Sequence, residues 1–161
     1  MARQPWSHAY AQWLLLDWGR RTGHEVWVAK GDRNRRVGAV RLGDVCLERI
    51  PTALPERVRL IMEQVDVIWF LLGRANPSAL FEVEHSTSVV TGLLRMSDLL
   101  TTVAPPVEGW KLTVVAPARR LSRFQTELTR PTFQAIGLGR LCRFMSYDEL
   151  AEQHRDAVRR R

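Results

Sequence analysis

Two apolar segments decide the fold: VDVIWFLL at residues 65–72 and ALFEVEH at residues 79–85. Both predict buried β-strands, because apolar, β-branched and aromatic residues predominate in them. The intervening residues contain Gly, Asn and Pro, which favour a turn, so we expect the two strands to pair as a hairpin. Three acidic side chains interrupt these segments, at Asp66, Glu82 and Glu84.

These three carboxylates are expected to share one face of the sheet. Side chains alternate along a strand, so Glu82 and Glu84 point the same way, with Cα atoms roughly 7 Å apart. In a hairpin Asp66 would lie near Glu84. A register error of two residues would keep Asp66 on that face, whereas a slip of one would move it to the other. The alternative is an edge hairpin whose polar face meets solvent.

Carboxylates that converge in an apolar sheet repel one another and raise one another's pKa. A divalent cation would remove that cost. Oxygen ligands, in a sequence without a cysteine cluster or a multi-histidine spacing, favour Mg²⁺ or Mn²⁺ over zinc.

The flanking sequence predicts alternating helices and strands. Helices are expected over residues 7–22, 55–64, from the Ser86-Thr87-Ser88 cap to about 103, over 119–136 with a restart at Pro131, and from Ser146, which forms a capping box with Glu149. Further strands are expected over residues 25–29, 110–116 and 141–145, with a short hairpin in 37–49 that turns near Gly43-Asp44. The predicted fold class is α/β, with a mixed central sheet flanked by helices.

The length and composition favour a single domain over residues 1–161, with 45% hydrophobic residues. The sequence has no apolar run of membrane-spanning length, and its N-terminus lacks a secretory signal core. Cys46 and Cys142 form neither a disulfide framework nor a zinc spacing. We therefore expect a cytoplasmic location, and we read Pro105-Pro106 as a loop within the domain.

The formal net charge is +7, and only two of the 24 basic residues are lysines, Lys30 and Lys111. A balance this positive suits a polyanionic partner such as nucleic acid. The alternative is an arginine-rich composition that only solvates the surface. The candidate phosphate-contacting residues are Lys30, Arg33, Arg35 and Arg36 after the first strand, Arg119, Arg120 and Arg123 after a later one, and the C-terminal run 159–161.

The order Asp66, then Glu82-Val83-Glu84 on the next strand, between an N-terminal helix and a following helix and strand, resembles the PD-(D/E)XK nuclease superfamily. Residues 81–99 are similar to a group of bacterial members, and the likeness extends over about residues 7–117. It implies a restriction-endonuclease-like αβββαβ core in which Asp66 and Glu82 bind the metal. The third position, usually Lys, is Glu84 here. Some restriction enzymes carry Glu at that position, and Lys30 or Lys111 is a candidate source of the missing positive charge.

The implied activity is metal-dependent hydrolysis of DNA phosphodiester bonds, of restriction or defence type. Asp66, Glu82 and Glu84 would be the catalytic residues, Mg²⁺ or Mn²⁺ the cofactor and DNA the partner. A homodimer would let both strands be cut, and a helicase or ATPase partner is left open. Two alternatives remain: a non-catalytic nucleic-acid-binding or regulatory module on a degenerate nuclease fold, which Glu84 favours, and a plain α/β interaction domain.

Three further residues near the expected site have structural interpretations. If the strand continues, His85 points to the opposite face from Glu84, where we expect it to pack or hydrogen-bond. Gln12 on the first helix either lines the site or, as we expect, is exposed. Arg95 is expected either to pair with Asp98 three residues on or to reach phosphate.

Overall fold

The computed structural model describes residues 5–51, 53–86, 88–103 and 109–160. The predicted Pro105-Pro106 loop, Thr87 of the predicted helix cap and the last arginine of the C-terminal run lie outside these ranges. The helices are α1 (His8–Arg21), α2 (Glu56–Met62), α3 (Val89–Thr102), α4 (Leu121–Leu128), α5 (Pro131–Ala135), α6 (Leu138–Leu141) and α7 (Tyr147–Arg159). Short 3₁₀ turns cover Lys30–Asp32, Leu42–Val45 and Ala118–Arg120.

A central sheet organises the described residues, with five strands in the order β1-β4-β5-β6-β7. Its strands are β1 (His24–Val28), β4 (Val67–Leu71), β5 (Pro77–Val83), β6 (Lys111–Ala116) and β7 (Cys142–Ser146), while β2 (Arg36–Val37) and β3 (Val40–Arg41) form a separate small hairpin. β4 runs antiparallel to β1 and β5, and β5, β6 and β7 are parallel. The predicted α/β class with a mixed sheet flanked by helices is confirmed, and α1-β1-β4-β5-α3-β6 follows the expected αβββαβ order.

Alternating strand residues feed two separate cores, one on each face of the sheet. Val67, Trp69 and Phe81 pack with residues of α1 and α7 on one face. Ile68 and Leu80 pack with residues of α2, α3 and α4 on the other. The apolar runs of β4 and β5 are explained by this arrangement, because both faces of these strands are covered.

Close packing sets the position of α1 against β4. The indole Nε1 of Trp69 donates a hydrogen bond to the Leu15 carbonyl at 3.0 Å. A Cβ at Gly19 would lie 2.5 Å from the same indole nitrogen, so only glycine permits this approach. With this approach, the N-terminal part of α1, which carries His8 and Gln12, lies beside the ends of β4 and β5.

The register of the β4–β5 hairpin differs from the expected one by two residues. Val67 faces Phe81, so Asp66, one residue before β4, falls opposite Glu82. The prediction that Asp66 lies near Glu84 was therefore wrong, although Asp66 stays on the predicted face of the sheet. An irregularity between Trp69 and Phe70 shifts the pairing near the turn, which counting residues outward from the loop could not reveal.

The predicted hairpin in residues 37–49 is present but turns elsewhere. β2 and β3 join at Gly38, whose φ of +57° suits a tight turn, and not at Gly43-Asp44. Gly43 instead donates its N–H to the Arg33 carbonyl at 2.9 Å. Leu42 is fully buried, and its burial draws the chain into a 3₁₀ turn.

Other local signals are confirmed. Ser146 and Glu149 form the predicted capping box of α7, and the helical segment restarts at Pro131. Both cysteines are free thiols. None of the helices in the described ranges has the length and apolar character needed to cross a membrane.

A charged cluster ties α1 to α7. The Asp17 carboxylate accepts hydrogen bonds from Arg21 at 2.6 Å and from His154 Nε2 at 2.7 Å. Burial would raise the pKa of Asp17, but these hydrogen bonds and the accompanying charges outweigh it, so the pKa is lowered.

We predict that Asp17→Asn lowers the free energy of unfolding by about 1 kcal/mol at pH 7, because the charged acceptor between the two helices is lost. A depressed native pKa stabilises the fold above the unfolded pKa, and this contribution disappears as pH falls through the native value. The difference between Asp17→Asn and wild type should therefore shrink below about pH 4. Urea unfolding at several pH values measures it, with Glu152→Gln on the exposed side of α7 as the control. A difference that does not change with pH would contradict the assignment.

Candidate active site

A cleft of about 280 Å³ opens where β5 ends, and all three predicted carboxylates line it. Its charged and polar lining residues are His8, Asp32, Arg35, Asp66, Glu82, Glu84, His85, Ser86, Thr91 and Arg95. The sequence pattern thus located the cleft but not its full composition.

Asp66 and Glu82 oppose each other at the base of this cleft. The Asp66 Oδ2 accepts the backbone N–H of Val83 at 2.7 Å. The two residues are only 8% and 1% exposed, respectively. Neighbouring carboxylates in a dry site repel each other, so a nearby positive charge lowers the cost of burying them.

Glu82 receives that compensation from Arg95 on α3. The Nη1 of Arg95 lies 2.9 and 2.7 Å from the two oxygens of the Glu82 carboxylate. Burial raises the pKa of Glu82 well above its ordinary value, the charge of Asp66 adds to the rise, and Arg95 opposes it. The ion pairs of the described residues join Arg95 to this buried acid and not to Asp98 on its own helix. The alternative expectation, that Arg95 reaches phosphate, stays a prediction.

Glu84 lies beyond the end of β5 and anchors the start of α3. Its N–H still pairs with the Val115 carbonyl at 2.8 Å, and its Oε1 accepts the N–H of Gly92 at 2.9 Å. The unpaired N–H groups at a helix N-terminus favour an acidic partner, which accounts for a buried carboxylate at this point.

No sequence motif identified two further residues of this acidic site, His8 and Asp32. His8 Nε2 lies 3.3 Å from Asp66 Oδ2, and His8 Nδ1 lies 4.0 Å from Asp32 Oδ2. Burial would lower the pKa of His8, but the hydrogen bond and charge of Asp66 together with the charge of Asp32 raise it. Asp32 lies among basic residues in the connection after β1, and His8 lies at a helix start of ordinary composition. Neither residue therefore belongs to a recognisable motif.

Gln12 is fully buried, and the expectation that it is exposed was wrong. Its Nε2 donates to Asp32 Oδ2 at 2.9 Å and reaches the Asp66 carbonyl at 3.4 Å. Gln12 follows His8 by one helical turn, so the same face of α1 carries both residues to the cleft.

The two lysines do not supply the cleft with charge. Lys30 is 67% exposed and lies 3.6 Å from Glu63. Lys111 opens β6 opposite Ala79, at the other end of β5 from Glu82. Arg95 provides the cation beside the carboxylates instead.

His85 also lines the cleft, and its contact with Tyr147 of α7 lies on the side of the sheet opposite α3, which Glu84 contacts. The regular strand ends at Val83, and strict alternation no longer applies to the following residues. The expected hydrogen-bonding role is present, because Nδ1 of His85 lies 3.0 Å from the Tyr147 hydroxyl and the two rings stack.

The predicted phosphate-contacting arginines differ in their surroundings. Arg35 lines the cleft and pairs with Asp32 at 2.7 Å. Arg119 and Arg120 follow β6 at the end of the sheet where Glu84 lies, and Arg120, Glu84 and Arg119 all act on the Tyr147 hydroxyl electrostatically. Arg35 therefore lies at the cleft itself, whereas Arg119 and Arg120 lie at the same end of the sheet but outside the residues that line the cleft.

Other members of the basic set have structural partners. Arg33 lies over the ring of Trp27 at 5.0 Å and donates to the Leu47 carbonyl at 2.9 Å. Arg36 is exposed and donates to the Ala39 carbonyl at 3.1 Å. Arg123 pairs with Glu127 at 2.7 Å. Arg33 thus stabilises the connection after β1, whereas Arg36 is at the surface.

Comparison with known proteins places this architecture in a family. Residues 2–160 match the model of the "Type II restriction enzyme NmeDI C-terminal domain". The chain is similar to the type II restriction enzyme NmeDI of Neisseria meningitidis serogroup C. The two sequences are 27% identical over an aligned length of 161, and the alignment covers 96% of this chain and 44% of that protein. No solved structure matches the chain.

The protein therefore belongs to the NmeDI C-terminal domain family, a restriction-enzyme-like family. The chain spans less than half the length of the curated relative that it matches. The family assignment applies to nearly all of the α/β fold described above, including the elements that build the cleft.

Gly92 offers a test of the packing that builds this site. A Cβ at Gly92 would lie 2.8 Å from Glu84 Oε1 and 2.9 Å from the Cβ of Glu82. The Glu82 Cβ cannot move without its strand, so α3 must shift. We predict that Gly92→Ala lowers the free energy of unfolding by about 1–3 kcal/mol, despite the higher helix propensity of alanine.

Chemical unfolding of Gly92→Ala beside Gly139→Ala measures this effect. Gly139 is also helical, but a Cβ there meets nothing within 4 Å, so Gly139→Ala should leave stability unchanged or slightly raised. Equal stability of the two variants would show that α3 does not pack against Glu82 as described.

Proposed function

We propose that this chain is the catalytic domain of a restriction-type DNA endonuclease of the PD-(D/E)XK class, which hydrolyses phosphodiester bonds in a metal-dependent reaction. The observation that carries the proposal is the buried pair Asp66 and Glu82, which oppose each other at the base of a cleft, in a chain of a restriction-enzyme-like family. Paired carboxylates are costly to bury, and phosphoryl transfer is a chemistry that uses them.

The donor set fits a hard divalent cation. Asp66 and Glu82 offer opposed carboxylate oxygens, and the pKa of Glu82 is raised by burial and by the charge of Asp66 although Arg95 opposes the rise. We propose that Asp66 and Glu82 hold Mg²⁺ or Mn²⁺, as oxygen-rich sites do. When bound, the ion supplies Lewis-acid polarisation of the scissile phosphate and stabilises the leaving oxygen.

Glu84 and Arg95 are proposed to supply the remaining functions of the site. Glu84 stands where the class usually has lysine, and its carboxylate is suited to accept a proton from the attacking water. Arg95 is only 27% exposed at its side chain and already faces the carboxylates. In this position its guanidinium is suited to offset the charge that would grow on a neighbouring phosphate in the transition state.

The DNA backbone is proposed to run between the arginines that flank the cleft. Arg35 and Arg36 lie on the side of the β2–β3 hairpin, with Lys30 nearby in sequence, and Arg119 and Arg120 lie on the side of β6. Such contacts are tolerant of sequence and weaken with salt. A homodimer would present two clefts to the two strands. We exclude Arg33 from the proposed contact set, because its guanidinium is engaged by the fold.

A non-catalytic nucleic-acid-binding module is the second candidate. It is favoured by the Arg95 guanidinium, which contacts both oxygens of a proposed metal ligand, together with Glu84 in place of lysine. An arginine held permanently on Glu82 would keep the charge of the site balanced without a metal.

Nicking of supercoiled DNA with Mg²⁺ or Mn²⁺ distinguishes these candidates. We predict that wild type nicks the DNA and that Asp66→Asn and Glu82→Gln lower the rate by about 10²–10⁴-fold, because each removes a charged oxygen donor at the reacting centre. Asp44→Asn is the matched control, since Asp44 is exposed and pairs only with Arg41 in the surface contacts described.

The salt dependence of binding completes the comparison. Salt-sensitive binding of DNA without any nicking would support the non-catalytic module. Absence of DNA binding at every salt concentration would support a plain interaction domain. Wild-type nicking that survives both site substitutions would reject the assignment of Asp66 and Glu82.

A further inference from the structure

A second group of metal-ligating side chains lies on the α1 side of Asp66. Ligand atoms of His8, Asp32 and Asp66 all fall within 4.8 Å of one another. We propose that these three residues form a distinct cation site, which shares Asp66 with the site proposed above and takes a divalent transition metal such as Mn²⁺. The inference rests on the proposed function only in that Asp66 would serve both sites.

Three separate parts of the chain converge to make this cluster. His8 is the first residue of α1, capped by Ser7. Asp32 ends the 3₁₀ turn after β1, and its N–H bonds to the Ala29 carbonyl at 2.8 Å. The Ala29 N–H in turn bonds to the Asp66 carbonyl at 3.1 Å. The backbone therefore fixes Asp32 relative to Asp66, and the ligands are positioned before any ion binds.

The oxygens of Asp32 have different roles. Arg35 pairs with Oδ1 at 2.7 Å, whereas Oδ2 accepts from Gln12 and faces His8. Arg35 neutralises one side of the carboxylate, and Gln12 orients the other. Supporting contacts of this kind orient metal ligands and raise the affinity of a site.

Two buried polar atoms at this cluster also point to a bound ligand. Gln12 is fully buried, yet its Oε1 has no hydrogen-bond partner among the described residues. The buried Nδ1 of His8 likewise lacks one within that part of the chain. Buried polar atoms are rarely left without partners. Their occurrence on two residues of this one cluster is explained by a ligand that accepts electron pairs.

The donor chemistry selects the metal. One imidazole nitrogen and two carboxylates suit Mn²⁺ and its neighbours in the transition series, whereas Mg²⁺ prefers oxygen ligands and retained waters. The site proposed above for Asp66 and Glu82 has only oxygen donors. The two sites should therefore differ in metal preference, although they are adjacent.

The test is Mn²⁺ binding to the whole chain without DNA, measured by electron paramagnetic resonance. Wild type should bind Mn²⁺ with ¹⁴N modulation of its pulsed signal, the signature of a directly bound imidazole. His8→Gln should abolish the modulation, and Asp32→Asn should weaken Mn²⁺ binding at that site by about 10-fold or more. His24→Gln is the control, because His24 begins β1, beyond the opposite end of α1 from His8, and contacts Thr22. Circular dichroism checks that each variant is folded.

The outcomes separate this inference from the nuclease proposal. Glu82→Gln should keep the ¹⁴N modulation, and excess Mg²⁺ should leave it in place. Absence of the modulation in wild type, or its persistence in His8→Gln, would overturn the second site even where DNA is nicked. Modulation that depends on His8 in a chain that never nicks DNA would retain the second site and reject the nuclease.

Discussion

The burial of the opposed carboxylates of Asp66 and Glu82 is the constraint on which the site depends. Burying two neighbouring carboxyl groups is expensive, and the fold surrounds them with groups that stabilise negative charge. The Val83 N–H binds Asp66, the Arg95 guanidinium binds Glu82, and His8 lies beside Asp66. Each of these partners comes from a different element, so the cleft exists only when the sheet, α1 and α3 are assembled.

Close backbone packing is what allows these elements to meet. Gly19 lets α1 approach Trp69, and Gly92 lets α3 approach the strand that carries Glu82. Neither glycine has a positive φ, so steric room, and not backbone conformation, explains why these helical positions lack a side chain. Glycine lowers the helix propensity at these two positions, and the closer packing that it allows brings charged side chains to the end of β5.

Positive charge approaches the carboxylates from several separate elements of the fold. Arg95 reaches Glu82 from α3, and Arg35 pairs with Asp32 from the connection between the 3₁₀ turn and β2. Arg119 and Arg120 lie in the 3₁₀ turn beyond β6. The same arrangement leaves Glu84 available to anchor α3 through Gly92.

The sequence by itself determined the element order, the buried strand pair, the helix caps and the shared face of Asp66, Glu82 and Glu84. These features follow from local periodicity and turn chemistry, which a few neighbouring residues encode. Only the tertiary structure decided that Asp66 opposes Glu82, that Arg95 crosses to Glu82, and that His8, Gln12 and Asp32 join them. These contacts link residues far apart in the chain, and they depend on how closely α1 and α3 pack on the sheet. No local pattern carries that information, because a lone histidine at a helix start looks the same whether it faces water or a carboxylate.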